Sequence, residues 1–261
     1  MKEQPSDPSV QEASGQAFVV PCAALASDAP IRWLKLGWQD WRAAPGLSLL
    51  FGLVIMLVSV AVALLAWTLG RFALLAVLLS GFVFIAPLIA VGLYCVSRQR
   101  ERGLVPKLSD SFALAGRVMG QAGVFALIQF VILLVWSRAG MMLNAFFPVE
   151  NGQWDVLIPF LLTGSAIGSV FAAVTFASAV FSLPMIADKK TDMVTACVSS
   201  INAVLRNKWV CLQWAALIAA LTGIGFLTAF IGLIFIMPLL AYAAWHGYRE
   251  TLDASSWPDL P

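Results

Sequence analysis

Five stretches of at least 20 residues contain no Asp, Glu, Lys or Arg. They are residues 43–70, 72–97, 118–137, 156–187 and 209–248, or 28, 26, 20, 32 and 40 residues. A helix needs about 20 apolar residues to cross ~30 Å of hydrocarbon. Four of the runs therefore fit one span each, and the fifth fits two. Thr222, Gly223 and Gly225 offer a turn inside it. The composition agrees: 61% of the residues are hydrophobic, only 11% are charged, and the mean hydropathy is +0.88. Soluble domains are about 45–50% apolar and about 25% charged. A soluble globular domain, a disordered chain and a nucleic-acid binder are excluded. The expectation is an all-α membrane protein of six spans, near 46–69, 72–96, 119–137, 157–183, 209–223 and 226–247.

The basic residues orient these spans. With the N-terminus inside, 14 of the 16 Lys and Arg fall in inner segments, and only Arg71 and Arg138 fall outside. Cytoplasmic loops carry the Lys/Arg excess, so both termini are expected in the cytoplasm. An odd number of spans would spoil this alternation. Residues 1–28, with Lys2, Glu3, Asp7, Glu12 and Asp28 among Pro, Ser, Gln and Ala, read as a disordered cytoplasmic tail. Residues 29–250 form the six-span domain, and 251–261 a short cytoplasmic tail. Cys22, Cys95, Cys197 and Cys211 contain no Cys-x-x-Cys pair and read as reduced, small apolar packing residues.

A weak repeat groups the spans into three hairpins. Phe84–Ala90, Phe181–Ala187 and Phe235–Ala241 share the pattern Phe-x-x-Pro-[Leu/Met]-[Ile/Leu]-Ala, placing Pro87, Pro184 and Pro238 near the inner ends of spans two, four and six. Each proline is expected to kink its span. Each hairpin follows an amphipathic stretch, expected to lie in the headgroup region as an interfacial helix on the cytoplasmic side. In Ile31–Arg42 the apolar face is Ile31, Leu34, Trp38 and Trp41, and the polar face is Arg32, Lys35, Gln39 and Arg42. The other two are Leu108–Gly120, with an N-cap at Ser109, and Thr191–Asn207.

Several passages carry a resemblance. Arg32-Trp-Leu-Lys-Leu-Gly-Trp-Gln-Asp40 leads into Ala44-Pro-Gly-Leu-Ser-Leu. Gly92-Leu-Tyr precedes Ser97-Arg98 and Glu101-Arg-Gly103. Asn207 and Trp214-Ala-Ala-Leu-Ile218 precede Trp245-His-Gly-Tyr-Arg249. As a set, over about residues 29–250, they resemble the bacterial domain of unknown function 2189 family of integral membrane proteins. The resemblance implies an inner-membrane protein with no established activity. Some members carry a cytochrome-oxidase-like label. A haem–copper centre needs several histidines, and this chain has one, His246.

Chemistry is sparse. There is no nucleophile elbow, Walker sequence or zinc-protease motif, and the sequence shows no His/Cys/Asp/Glu cluster with metal-ligand spacing. The six expected spans lack charged residues, which argues against ion-coupled transport and membrane-embedded catalysis. No catalytic residue, cofactor or metal is assigned. His246 reads as an interfacial histidine bonded to backbone or a lipid headgroup, with little effect on folding. Gln129 reads as an interhelical hydrogen bond, with a substrate contact as its functional alternative. Gly164 and Gly168 form a Gly-x-x-x-Gly pair suited to close helix packing, within the bundle or between two copies. Trp38, Trp41, Arg98, Arg100 and Arg102 are candidate contacts to membrane lipids or partner proteins. Two functions stay open: a non-enzymatic scaffold, assembly or lipid-interacting module, and a facilitator or exporter of a small uncharged or amphiphilic solute. The partners expected are membrane lipids, other membrane proteins or a second copy, and no nucleic acid.

Overall fold

The computed structural model describes residues 18–69, 89–146 and 154–260. The described residues are helical, with isolated β-bridges in place of strands. The helices are α1 (Ala29–Ala43), α2 (Pro45–Leu69), α3 (89–101), α4 (Leu108–Phe146), α5 (Trp154–Ala179), α6 (Ser182–Asp188), α7 (Met193–Arg206), α8 (Lys208–Leu227) and α9 (Leu233–Thr251). Four described segments are long and apolar enough to cross a membrane: Pro45–Leu65, Leu108–Leu143, Leu157–Asp188 and Lys208–Leu227. Pro87, Arg71, residues 1–17 and the outer part of the 72–96 span lie outside the described residues.

Local sequence sets the helix boundaries. Pro30 opens α1, and Pro45 ends it by forcing Ala44 out of the helical region, at φ −132° and ψ 58°. Asp192 caps α7 by accepting from the Thr195 N–H at 2.9 Å. The 40-residue run does divide into two helices, but not at Gly223–Gly225. The helix α8 continues to Leu227, and the reversal lies between Leu227 and Leu233, with Ala229 and Phe230 at φ 51° and 68°. Gly225 serves packing instead, since a Cβ there would strike the Leu233 side chain. Leu108–Gly120 is not a separate interfacial helix either. It is continuous with the following span in the 39-residue α4, which passes through Gly116, Gly120 and Gly123 without a break and contains no proline.

The expectation that the repeat prolines kink their helices alike fails for the two described. Phe181–Ala187 contains a break, whereas Phe235–Ala241 lies inside continuous α9. At the break, the Ser200 hydroxyl accepts from the Phe181 N–H at 3.1 Å and donates to the Ala177 carbonyl at 2.6 Å. A side chain thus stands where the i→i−4 backbone bond would be, a recognised cause of helix breaks. In α9, Pro238 removes the donor for the Ile234 carbonyl. Gly52 of α2 lies directly against that carbonyl, where any Cβ would collide.

The first amphipathic helix is embedded in the protein rather than held by lipid alone. Its buried side is Ala29, Pro30, Trp33, Gly37 and Asp40, and it rests on α9. A Cβ on Gly37 would lie 2.8 Å from the Ala243 nitrogen, so only glycine allows this approach. Trp33 is fully buried, packed edge-on against Phe181 and Trp214, with centroids at 6.4 and 5.6 Å. Ile31 and Trp38 stay exposed. The segment from residue 18 to 28 is not a free tail. Ala23 N–H donates to Thr251, Asp253 N–H to Pro21, and Leu25 N–H to the Asn207 side chain, each at 2.9 Å. The C-terminal tail is likewise docked, with Trp257 buried.

Candidate functional site

Charged side chains converge at one end of the bundle, brought there by α1, α3, α6 and α9. Asp40, on the buried side of α1, receives His246 Nε2 and Arg100 Nε, each at 2.8 Å. Burial works to raise the Asp40 carboxyl, but its hydrogen bonds, led by that from His246, win and hold it below the ordinary carboxylate range. Glu101 faces the same histidine at 3.7 Å and Arg249 at 3.3 Å. Asp188, at the end of α6, accepts from Tyr248 at 3.0 Å and Arg249 at 3.2 Å, and pairs with Arg98 at 3.7 Å. Burial works to lower the Arg249 value, and Glu101 and Asp188 reverse it.

The terminal segments close this network. Arg98 donates to the Leu260 carbonyl, and Leu260 N–H donates to the Asp188 carbonyl at 2.8 Å. Asp259 bridges Lys189 at 2.6 Å and Arg102 at 3.1 Å, and Lys189 holds its carboxyl below the ordinary range. Beside the network, Glu250 accepts from the Trp33 indole at 2.8 Å and pairs with Arg32. The arrangement ties five separate parts of the chain together: α1, α3, the end of α6, α9 and the C-terminal segment. Each carboxylate in it faces cations or hydroxyl and ring N–H donors.

This changes the standing of several sequence candidates. Arg98 is 7% exposed and committed to Asp188 and Leu260, so it offers no free charge to lipid. Arg100 and Arg102 are partly exposed but paired with Asp40 and Asp259. His246 bonds through Nε2 to a buried carboxylate. Trp38 is exposed and stacks on Trp41 at 5.3 Å, while Trp41 is half-buried beside Phe235. No motif in the sequence marks Asp40, Glu101 or Asp188 as partners. Asp40 was legible only as the third residue of the set Trp33, Gly37, Asp40, spaced as one helix face.

A second feature lies within the bundle. Gln129 of α4 donates through Nε2 to the Ser178 hydroxyl at 3.0 Å. The same glutamine lines a cavity of about 640 Å³ whose other walls include Phe125, Trp136, Phe171, Ala172 and Thr175. Gly164 and Gly168 face α4: a Cβ on Gly164 would lie 3.2 Å from Leu143, and one on Gly168 3.8 Å from the Trp136 indole nitrogen. Among the described residues no three His, Cys, Asp or Glu side chains are placed so that they could hold a metal ion together.

Residues 74–188 match the family described as predicted integral membrane protein (DUF2189). This match includes α3, α4, α5 and α6, and with them Arg98, Glu101, Gln129 and Asp188. No curated protein and no solved structure matches the chain significantly.

Proposed function

We propose that this integral membrane protein, with its DUF2189 region, is a non-enzymatic scaffold, assembly or lipid-interacting module of the bacterial inner membrane. The observation that carries the reading is the closed ion-pair network. Asp40, Glu101 and Asp188 are engaged by His246, Arg98, Arg100 and Arg249, and the C-terminal segment bonds to Arg98 and Asp188. Such a network fixes helix positions and leaves its carboxylates no free role in proton transfer. The contact surface is then the outer side of α1, where Ile31, Lys35, Trp38 and Arg42 are exposed. Apolar and basic side chains together suit an anionic headgroup layer, at about 1 kcal/mol per basic residue near the surface.

In this reading the chain spans six times, as three hairpins, with both termini cytoplasmic. The 14-to-2 division of basic residues supports it. Reporter fusions after Asn151 and after Pro261 test the orientation: periplasmic activity is expected at the first and cytoplasmic activity at the second. The role is tested by Lys35→Gln with Arg42→Gln and Trp38→Ala. The variant is expected to insert normally and to lose partners or anionic lipid that co-purify in mild detergent. An unchanged co-purifying set would defeat the reading. The second reading, a facilitator or exporter of a small uncharged or amphiphilic solute, draws on the Gln129 cavity. Loss of a deletion-complementing function in a stable Gln129→Leu protein would favour it.

A further inference from the structure

The cavity beside Gln129 is built for a particular kind of molecule. Its described lining carries no charged side chain, so a charged ligand would lose its hydration without compensation. The aromatic walls, Phe125, Trp136 and Phe171, suit an apolar body, and about 640 Å³ falls in the range of small-molecule sites. Gly168 and Ala172 leave the room on the α5 side.

The polar group is more specific. Gln129 is 8% exposed, and its Oε1 has no hydrogen-bond partner. Its amide orientation follows from its neighbour. The Ser178 hydroxyl gives its single proton to the Thr175 carbonyl at 3.0 Å, so toward Gln129 it can only accept. In this arrangement Nε2 faces Ser178, and Oε1 is left as a buried acceptor without a partner. Buried polar atoms without partners are rare in native proteins and call for an explanation. A carbonyl or ether ligand would not satisfy Oε1; a hydroxyl would.

We infer that this cavity binds a neutral long-chain alcohol whose hydroxyl donates to Gln129 Oε1 while its chain fills the aromatic pocket. The inference concerns occupancy, not passage, and stands whether the scaffold or the facilitator reading holds.

The experiment uses the full chain in lipid nanodiscs, labelled with a diazirine-bearing fatty alcohol and mapped by peptide mass spectrometry. Label is expected to concentrate on peptides spanning 125–136 and 168–179. Dodecanol should displace it about tenfold better than dodecanone at equal mole fraction, the worth of one hydrogen bond. Gln129→Leu should abolish that preference, and Ala172→Phe should abolish the focused labelling. Should Gln129→Leu fail to fold, Gln129→Met removes the acceptor at similar length. Labelling spread evenly over lipid-facing helices such as α2, equal displacement by the ketone in the natural protein, or undiminished labelling of Ala172→Phe would each overturn the assignment.

Discussion

Asp40 and His246 are 206 residues apart in the chain and 2.8 Å apart in space. Their contact joins α1 to α9, and Arg100 of α3 completes it on the other carboxylate oxygen. The two side chains are 7% and 13% exposed, so solvent screens them little. Removing the carboxylate leaves the His246 ring nitrogen and the Arg100 guanidinium without their shared acceptor, which costs ~1–3 kcal/mol. Asp40→Ala should lower the unfolding free energy of the purified protein by about that much. Adding His246→Ala should cost less than the sum of the singles, since both report one interaction. Denaturant unfolding followed by tryptophan fluorescence measures both, and full additivity would refute the coupling.

The same carboxylate predicts a pH dependence. Asp40 titrates below its ordinary value when folded, so the unfolded chain binds its proton first as pH falls. The stabilisation is present above the unfolded value of about 3.9 and is lost as pH drops through the lower folded value. Asp259 acts in the same direction but is exposed, so its share is small. Unfolding midpoints should fall as pH drops below about 4. Asp40→Ala should have the shallower acid limb, and parallel limbs in the two proteins would count against Asp40 as a source.

How much of this was readable beforehand divides along physical lines. Charge-free length revealed the apolar helices, since hydrocarbon thickness acts on each run alone. The separate helices α1 and α7 also followed from local periodicity. The ion-pair network did not, because Asp40, Glu101, Asp188 and His246 come from four distant helices and no local spacing relates them. The misplaced turn has a related cause. Gly225 looks the same whether it reverses the chain or admits Leu233, and only packing decides. The periodicity of Ile31–Arg42 shows an apolar and a basic face, and the third, Trp33, Gly37 and Asp40, is the one α9 buries.

Ser200 gives a sharper test of the helix break. Its hydroxyl stands between the Phe181 N–H and the Ala177 carbonyl. Ser200→Ala should leave both backbone groups without that partner and cost about 1–3 kcal/mol. Ser200→Thr keeps the hydroxyl and should recover part of the loss. A neutral Ser200→Ala would mean that the break at Phe181 owes nothing to this side chain.

Glycines in and beside α1 should respond oppositely. Gly37 lies against the Ala243 nitrogen and the Leu239 carbonyl, where a Cβ would come within 2.8 and 2.9 Å of backbone atoms that cannot rotate away. Gly37→Ala should cost about 1–3 kcal/mol by overpacking. Gly46, in the first turn of α2, has nothing within 4 Å of an added Cβ. Gly46→Ala should be neutral or stabilising by up to ~1 kcal/mol, the ordinary helix preference for alanine. Equal effects at the two positions would contradict the close α1–α9 contact.

The last prediction concerns the C-terminal segment. Residues 252–260 hold the N-terminal segment through the Asp253-to-Pro21 bond, and hold Asp188 and Lys190 through backbone bonds of 2.8 Å from Leu260 N–H and to Pro258. Trp257, 5% exposed, anchors them. Deleting residues 252–261 should uncover Arg98 and Asp188 and loosen residues 18–25 by removing the Asp253-to-Pro21 bond, so that their amide exchange rises more than that of α4. Trp257→Ala should reproduce most of this, at ~3–5 kcal/mol for a buried aromatic. Asp259→Asn should cost no more than ~1 kcal/mol, because its carboxylate is 59% exposed. If the truncated chain protects residues 18–25 as well as the full chain does, the two terminal segments are held independently, and the coupling drawn from their shared bonds is wrong.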